Sequence, residues 1–306
     1  MSRELVDTTA AAVAAEIARQ RRRQGSFAAG MVLTLVVATD ERDHYDAVKA
    51  ATEAATEHPC RVLAVIPRAP KGPARLDADI RVGGEAGPGE TAVLRLYGHL
   101  GGHADSVVLP LLLPDTPVVT WWPGSAPAVP ADAPLGRLSQ RRVTDAATAT
   151  KPEAALAERA KSYRPGDTDL AWTRVTPWRT LLAAGLDLPT DRITGGTVAA
   201  QRHNPSAVLL ATWLGDRLRV PVTTRASRGP GITEVRLTTA RGDIALTRPD
   251  GVRATLSRPD HPDSGVALPR RATADLIAEE LRRLDADEPY GETLAALTPK
   301  TVRSRR

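Results

Sequence analysis

Residues 109–124 have the sequence LPLLLPDTPVVTWWPG, and this stretch decides the fold class. A first apolar run stops at a Pro-Asp pair. A second run, residues 117–122, is β-branched and stops at a Pro-Gly pair. Six residues of this type between turn formers predict a strand that is buried on both faces, as in the centre of a parallel sheet.

Two tryptophans end this strand, and they raise a question of function. Adjacent strand residues point to opposite faces, so Trp121 and Trp122 cannot share one pocket. The chain has only ten aromatic residues among 306, which concentrates contact area here. Both rings could cap the core. Alternatively, one of them contacts a ligand or a partner protein, since tryptophan is favoured at binding hot spots.

The pattern around this strand predicts an α/β domain. Residues 31–39 and 60–66 are apolar, β-rich runs, and a helix pattern from Asp40 to about residue 57 separates them. That order is a βαβ unit. Residues 74–82 and 92–97 predict a hairpin around a turn at 83–89, and residues 5–23 predict a helix. We therefore expect an N-terminal, mainly parallel, Rossmann-like sheet with helices.

The second half of the chain has a different pattern. A turn at residues 164–167 predicts a boundary between an N-terminal domain, residues 1–165, and a C-terminal domain, residues 166–306. Segments 232–239, 244–247 and 252–256 alternate with period two, which predicts an antiparallel meander. Helix patterns flank them. We expect this smaller domain to be α+β.

Composition predicts an ordinary globular protein of the reducing cytoplasm. The chain is 42% hydrophobic and 25% charged, and no apolar run reaches the length of a membrane span. The first residues lack the apolar segment of a secretory signal. A single cysteine, Cys60, excludes an internal disulfide. It is expected to be a small buried residue, although the neighbouring Arg61 could instead lower its pKa.

The net charge of +5 does not by itself indicate nucleic-acid binding. Eight of the 41 basic residues lie in two end clusters, at positions 19–23 and 300–306, which leaves 33 against 36 acidic residues. Such ends are commonly solvated, and binders usually show a basic stripe with aromatic residues between. The charge pattern therefore argues against a nucleic-acid partner.

No motif for catalysis, a metal or a cofactor stands out. The first strand-to-helix turn, at Asp40, has no glycine, which weakens a nucleotide-binding interpretation. His99 and His103 are separated by two glycines, which argues against a rigid helical metal pair. We therefore expect no catalytic residues, no metal and no cofactor. This absence favours a binding or assembly role.

One segment could hold an anion. Arg202 and His203 directly precede a predicted helix, and Gly195 and Gly196 could cradle an anion upstream of it. The alternatives are a loop leading into the helix for His203, and a bend or close packing for the two glycines.

Several segments together resemble one family. They are residues 58–66 (HPCRVLAVI), 114–122 (PDTPVVTWW), 169–179 (DLAWTRVTPWR), and 195–214 with its Gly-Gly, Asn-Pro and Trp-Leu pairs. The chain is similar over most of its length to the glucose-6-phosphate dehydrogenase assembly protein OpcA family of actinobacteria and cyanobacteria. This resemblance implies a non-catalytic, two-domain protein that binds and activates glucose-6-phosphate dehydrogenase and feeds the oxidative pentose phosphate pathway. An internal disulfide switch would need more cysteines than Cys60.

Two hypotheses follow for the site. A partner protein would use an aromatic and Arg-rich set that suits interface burial: Trp121, Trp122, Trp172, Trp178 and Arg179. The same set could be a domain core. Alternatively, the chain is a sugar-phosphate or nucleotide-binding enzyme or sensor that uses the crevice at the carboxyl ends of the strands.

Overall fold

The computed structural model describes residues 2–24, 30–83, 89–186 and 191–298. The chain divides into two compact units. The first unit comprises Met1–Asp145, Arg164–Thr168 and Ala272–Ala286. The second unit comprises Ala146–Tyr163, Asp169–Arg271 and Asp287–Arg306.

Strands and helices are interspersed along the whole of the described chain. The strands are β1 (Ser2–Thr8), β2 (Leu33–Ala38), β3 (Cys60–Pro67), β4 (Arg75–Val82), β5 (Glu90–Tyr97), β6 (Val118–Trp121), β7 (Arg141–Thr144), β8 (Asp167–Asp169), β9 (Gly195–Ala200), β10 (Val222–Ala226), β11 (Ile232–Thr239), β12 (Gly242–Thr247), β13 (Arg253–Arg258) and β14 (His261–Ala267). The helices are α1 (Ala10–Gln24), α2 (His44–Ala54), α3 (Ala104–Val108), α4 (Pro134–Arg137), α5 (Pro152–Ser162), α6 (Leu170–Thr173), α7 (Thr176–Leu186), α8 (Pro205–Leu218), α9 (Thr273–Arg282) and α10 (Glu288–Leu297).

The first sheet has the strand order β1-β4-β5-β3-β2-β6-β7-β8. Its centre, β5-β3-β2-β6-β7, is parallel throughout. This is the doubly wound order, in which the chain reverses direction across the sheet between β2 and β6. The predicted hairpin is present as the antiparallel pair of β4 and β5, although part of its turn lies outside the described residues. The expectation of a mainly parallel, Rossmann-like sheet is confirmed.

Burial explains why these segments are strands. β2 is buried along nearly its whole length, as its largely apolar, β-branched sequence LTLVVA predicts. On one face of the sheet, Val13 and Ile17 of α1 are buried in the core. The prediction of a helix over residues 5–23 was wrong at its start. Ser2–Thr8 forms β1 and pairs with β4, because pairing to an open sheet edge outweighs a weak helical pattern.

The second sheet has the order β10-β9-β11-β12-β13-β14. β11 to β14 form the antiparallel meander that the alternating pattern predicts, extended by β14. β10 is parallel to β9, with α8 between them along the chain. The α+β character of this region is therefore confirmed.

The compact units differ from the expected division at residue 165 in three segments, of which residues 166–168, in the first unit, are the shortest. Ala146–Tyr163 belongs to the second unit, and Ala272–Ala286, which contains α9, belongs to the first. There α9 packs on α2, and its Glu280 accepts a hydrogen bond from Arg141 of β7 at 2.8 Å. Which segments fold independently stays a prediction.

Candidate functional site

A crevice opens in the first unit where the strand order reverses. Its volume is about 490 Å3, and it is lined by the carboxyl ends of β2 and β3 and by the residues that follow β6. Asp40, Trp122 and Gly124 all line it, at the crevice that the sequence predicts at the carboxyl ends of the strands. This position in an open α/β sheet is where ligands usually bind.

The charge in this switch-point crevice is negative. Asp40 and Asp43 line it, and its described lining contains no Lys, Arg or His. The Asp40 Oδ1 atom accepts hydrogen bonds from the backbone N–H groups of Arg42 and Asp43, each at 2.9 Å. These donors precede α2, where a bound phosphate would sit in a nucleotide-binding fold. A carboxylate of the chain itself therefore takes the place that an anionic ligand would need.

The two tryptophans of β6 are both buried. Trp122 is 5% exposed, packs in the core of the first unit and lines the crevice. Trp121 is 1% exposed and is absent from that described lining. Its Nε1 atom is buried without a hydrogen-bond partner among the described residues. This burial favours the core interpretation over direct contact with a partner.

The motif over residues 169–179 builds an aromatic core in the second unit. Asp169 caps α6 by accepting from the Ala171 N–H at 2.8 Å, which sets the position of Trp172. The Trp172 Nε1 atom donates to Asp287 at 2.9 Å, and the Arg179 guanidinium lies 3.8 Å from the centroid of its ring.

The accessibility of this set differs from residue to residue. Trp172 and Trp178 are each 1% exposed, and Arg179 is half-buried. Of the five residues in the partner-contact hypothesis, Arg179 is therefore the most accessible.

A second cleft, here called the basic cleft, lies in the second unit at the start of α8. Its volume is about 350 Å3, and its described lining contains no Asp or Glu. Six basic residues line it: Arg174, Arg202, His203, Arg248, Arg270 and Arg271. The structure thus brings Arg202 and His203 together with four arginines that are distant in sequence.

Arg248 is the buried member of the basic cleft. It is 5% exposed, and its Nη1 and Nη2 atoms donate to the carbonyl oxygens of Leu268 and Ile232 at 2.9 and 3.0 Å. Its guanidinium lies 4.9 Å from the centroid of the Trp178 ring. Its Nε atom has no hydrogen-bond partner among the described residues. Burial, and then the charge of Arg270, lower the pKa of Arg248.

Gly195 and Gly196 are not part of the basic cleft. They begin β9, whereas the cleft lies beyond the opposite end of that strand. The Gly196 N–H donates to Pro221 O at 3.0 Å, and a Cβ there would lie 2.9 Å from Arg236 O. Close packing between neighbouring strands explains Gly196, and neither glycine lies beside Arg202 and His203 in the basic cleft.

Cys60 is a buried residue at the start of β3. Burial raises the pKa of its thiol to about 12. The side chain of Arg61 instead donates to Glu90 at 2.7 and 2.8 Å, so its charge is already matched. The interpretation of Cys60 as a small apolar residue is favoured over a reactive thiol.

Two further features complete the description. His99 and His103 lie edge to face, 6.2 Å apart, and no group of three or more potential metal ligands occurs among the described residues. Among the residues that the structure describes, no helix has the length and apolar character needed to span a membrane.

The sequence did not point to Arg248 or Arg270 as site residues. Arg248 directly follows the end of β12, where the period-two pattern predicts only strand and turn. The adjacent pair Arg270 and Arg271 was the one available signal, because two arginines precede α9 directly after an apolar residue and a proline.

Comparisons with known proteins give one family, described as "Glucose-6-phosphate dehydrogenase subunit" and represented by two domain models. Residues 51–161 match the model of its N-terminal domain, and residues 165–294 match the model of its C-terminal domain. Both models are named for OpcA. No match was found among the curated proteins.

Solved structures that match this chain include two oxidoreductases. One is KijD10, a 3-ketoreductase from Actinomadura kijaniata in complex with NADP, with 12% identity, a TM-score of 0.46, and coverage of 86% of this chain and 94% of that chain. The other is an oxidoreductase from Sinorhizobium meliloti, with 9% identity, a TM-score of 0.42 and 86% of each chain covered. Both TM-scores are below 0.5, so we infer nothing about function from them.

Proposed function

Because the chain belongs to the OpcA family of glucose-6-phosphate dehydrogenase assembly proteins, we propose that it binds glucose-6-phosphate dehydrogenase and favours its active oligomer. The observation that carries this proposal is the pair of family matches, which together span residues 51–294. In this role the chain is a non-catalytic activator that supports the oxidative pentose phosphate pathway. A cytoplasmic location stays a prediction.

The proposed mechanism needs differential affinity and no bond chemistry. A partner that binds the active oligomer more tightly than the inactive form shifts the population toward the active form. Moving such an equilibrium from 1:99 to 99:1 takes roughly a 10⁴-fold preference, about 5.5 kcal/mol. A standard interface of about 1,600 Å2 can supply a free energy of that size.

The charge of the switch-point crevice argues against the alternative of a sugar-phosphate or nucleotide-binding enzyme at that site. Asp40 holds the backbone donors that a phosphate would use, and its carboxylate would repel the ligand. We therefore expect the isolated chain to show no stabilisation by NADP at this crevice. Turnover of any substrate by the isolated chain, lost on changing one polar crevice residue, would contradict a non-catalytic role.

The contact residues for the dehydrogenase stay a prediction. Four of the candidate residues have buried rings that would stabilise the fold of each unit: Trp121, Trp122, Trp172 and Trp178. Arg179 is only half-buried and could contact a partner directly. Changing Arg179 to Ala, with thermal unfolding as the check on the fold, separates the two roles. If dehydrogenase activation is unchanged in a folded Arg179→Ala variant, Arg179 is not in the interface.

The test of the proposal is co-purification of the full chain with the glucose-6-phosphate dehydrogenase of its own cell. Dehydrogenase activity and oligomer size are measured with and without the chain. We expect the chain to raise the activity and the fraction of the active oligomer together. No co-purification, or an unchanged oligomer distribution at excess chain, would refute the proposal.

A further inference from the structure

The basic cleft concentrates positive charge beyond what the fold itself requires. Among the described residues, none of Arg202, Arg248 and Arg270 forms an ion pair with a carboxylate. The nearby Glu153 lies at the rim, where its Oε1 atom is 3.4 Å from the Nδ1 atom of His203 in an exposed contact. Positive charge in a concave site with low-dielectric walls raises the local concentration of anions.

Arg248 gives this cleft a built anion partner. It is nine-tenths buried, and its described hydrogen bonds go only to neutral carbonyl groups. Asp250, the nearest carboxylate in sequence, accepts from the backbone N–H groups of Val252 and Arg253 and forms no ion pair with Arg248. Its charge raises the pKa of Arg248, but less than burial and the charge of Arg270 lower it. A buried charge without a paired carboxylate is costly, and stacking on Trp178 offsets part of that cost. An anion in the cleft would supply the missing partner.

The start of α8 adds to the same field. This helix has 14 residues and begins at the cleft, with Asn204 as its N-cap, so the positive end of its dipole faces the lining. His203, just before it, has a left-handed φ of 56°, which is uncommon for a residue other than glycine. That conformation places Arg202 and His203 at the rim of the cleft.

We propose that the basic cleft binds a small phosphorylated metabolite, whose phosphate is held by Arg202, Arg248 and Arg270. Arginine suits phosphate because its guanidinium donates in a planar fork and stays charged. The volume of about 350 Å3 fits a small ligand, since binding pockets for such molecules start at roughly 300 Å3. A concave site of this size with a buried charge favours a small molecule over an acidic protein segment, which would need a longer groove. The proposal does not depend on the dehydrogenase.

The test uses the purified full chain alone. Inorganic pyrophosphate and glucose 6-phosphate are titrated by calorimetry and thermal unfolding, with glucose and with sodium chloride of equal ionic strength as controls. We expect saturable binding of one anion per chain and a rise in unfolding temperature. Glucose and chloride should give neither effect.

Matched variants locate the binding. The double variant Arg202→Gln and Arg270→Gln removes two exposed charges, so it should fold and should weaken binding at least tenfold. Arg253→Gln removes an equally exposed arginine of β13 outside the cleft and should leave the affinity within twofold of the wild type.

Three outcomes would overturn the proposal. The first is no saturable binding of either anion. The second is equal binding by the wild type and the double variant. In the third, the wild type binds neither anion and the double variant loses binding to the dehydrogenase. That result would mean that the cleft holds an acidic segment of the partner protein. Because the anion titrations contain no dehydrogenase, failure here leaves the proposed assembly role standing.

Discussion

Two buried arginines, one in each unit, meet different partners. In the first, Arg61 is 8% exposed and donates to Glu90, which also accepts from Arg21 at 2.6 Å. In the second, Arg248 is 5% exposed and its described donors meet only carbonyl oxygens. A buried charge that meets a carboxylate is compensated within the fold, whereas one without a carboxylate leaves a charge that an anion from outside would compensate. The difference separates a structural arginine from one that a ligand would complete.

The two crevices show the same contrast. The switch-point crevice in the first unit lies where a doubly wound sheet usually binds ligands. There, however, Asp40 already accepts from the backbone N–H groups that a ligand would use. The basic cleft lies where the fold class predicts nothing in particular, yet basic side chains line it. Topology locates a concave surface, and the charge of the lining side chains decides which ligands it can hold.

The largest expected effect on stability comes from breaking the ion pair between Arg61 and Glu90. Changing Glu90 to Gln leaves Arg61 buried without a counter-charge, and we expect a loss of about 3–5 kcal/mol in the free energy of unfolding. Urea denaturation measures it. Glu292→Gln is the control, because the Glu292 and Arg217 side chains are about half exposed and such a pair contributes about 1 kcal/mol or less. A loss below 1 kcal/mol for Glu90→Gln would remove the contrast between the units.

Replacing Arg248, which has no carboxylate partner, should cost less stability than replacing Glu90. Arg248→Met removes a buried charge but leaves the Leu268 and Ile232 carbonyl oxygens without a donor, at a cost of about 1–3 kcal/mol each. Since loss of the uncompensated charge offsets part of this, we expect a net loss of about 2 kcal/mol in anion-free buffer.

The effect of an anion on the stability of Arg248→Met tests the role of Arg248 more directly. Pyrophosphate at 100 times its dissociation constant should stabilise the wild type by about 2.7 kcal/mol and Arg248→Met by much less. If Arg248→Met loses as much stability as Glu90→Gln and is stabilised equally by pyrophosphate, Arg248 is a structural residue.

Much of the fold could be predicted from the sequence, because buried strands have a local signature. The largely apolar runs of β2 and β3 indicate strands buried on both faces, and the alternation of β11 to β13 indicates strands buried on one face. β1 could not be predicted, because what makes it a strand is the edge of β4 that it meets, and this contact has no local signal. The assignment of α9 to the first unit likewise depends on contacts with residues that are distant in sequence, which no local pattern predicts.

The candidate sites were less predictable, for a physical reason. Arg202 and His203 lie next to a helix start, so a local pattern marks them. Arg248 follows a different strand, and only the folded sheet brings it beside them. Likewise, the sequence shows Arg61 beside Cys60 but not Glu90, 29 positions away, which holds the Arg61 charge. Charge matching is a three-dimensional property, so the sequence alone could not separate the two kinds of arginine.

A pH measurement on Cys60 tests whether the charge of Arg61 is fully taken up by Glu90. Burial raises the pKa of this thiol from 9.0 to about 12. Between these values the unfolded chain loses the proton and the folded chain keeps it, so stability is full below pH 9 and falls as pH rises. We expect a loss of about 1.4 kcal/mol by pH 10 in the wild type.

The matched variant for this measurement is Cys60→Ala, which has no thiol to titrate. The free energy of unfolding of both proteins is measured at pH 8 and pH 10, and the wild type should lose more stability by the stated amount. An equal pH dependence in both proteins, or rapid alkylation of the native thiol at pH 8, would show that Arg61 does act on Cys60.

The smallest expected effect concerns Asp40, and it tests the contrast between the crevices most directly. Asp40→Ala removes the acceptor for the Arg42 and Asp43 N–H groups in the turn before α2 and should cost about 1 kcal/mol, the typical net value of a hydrogen bond. Asp40→Asn keeps an acceptor oxygen and should cost a few tenths of a kcal/mol, measured by urea denaturation. Neither variant should gain pyrophosphate binding at the switch-point crevice, because its described lining still offers no basic side chain. New saturable binding in Asp40→Ala, retained when Arg202 and Arg270 are also changed to Gln, would mean that one carboxylate was all that kept this crevice from holding an anion.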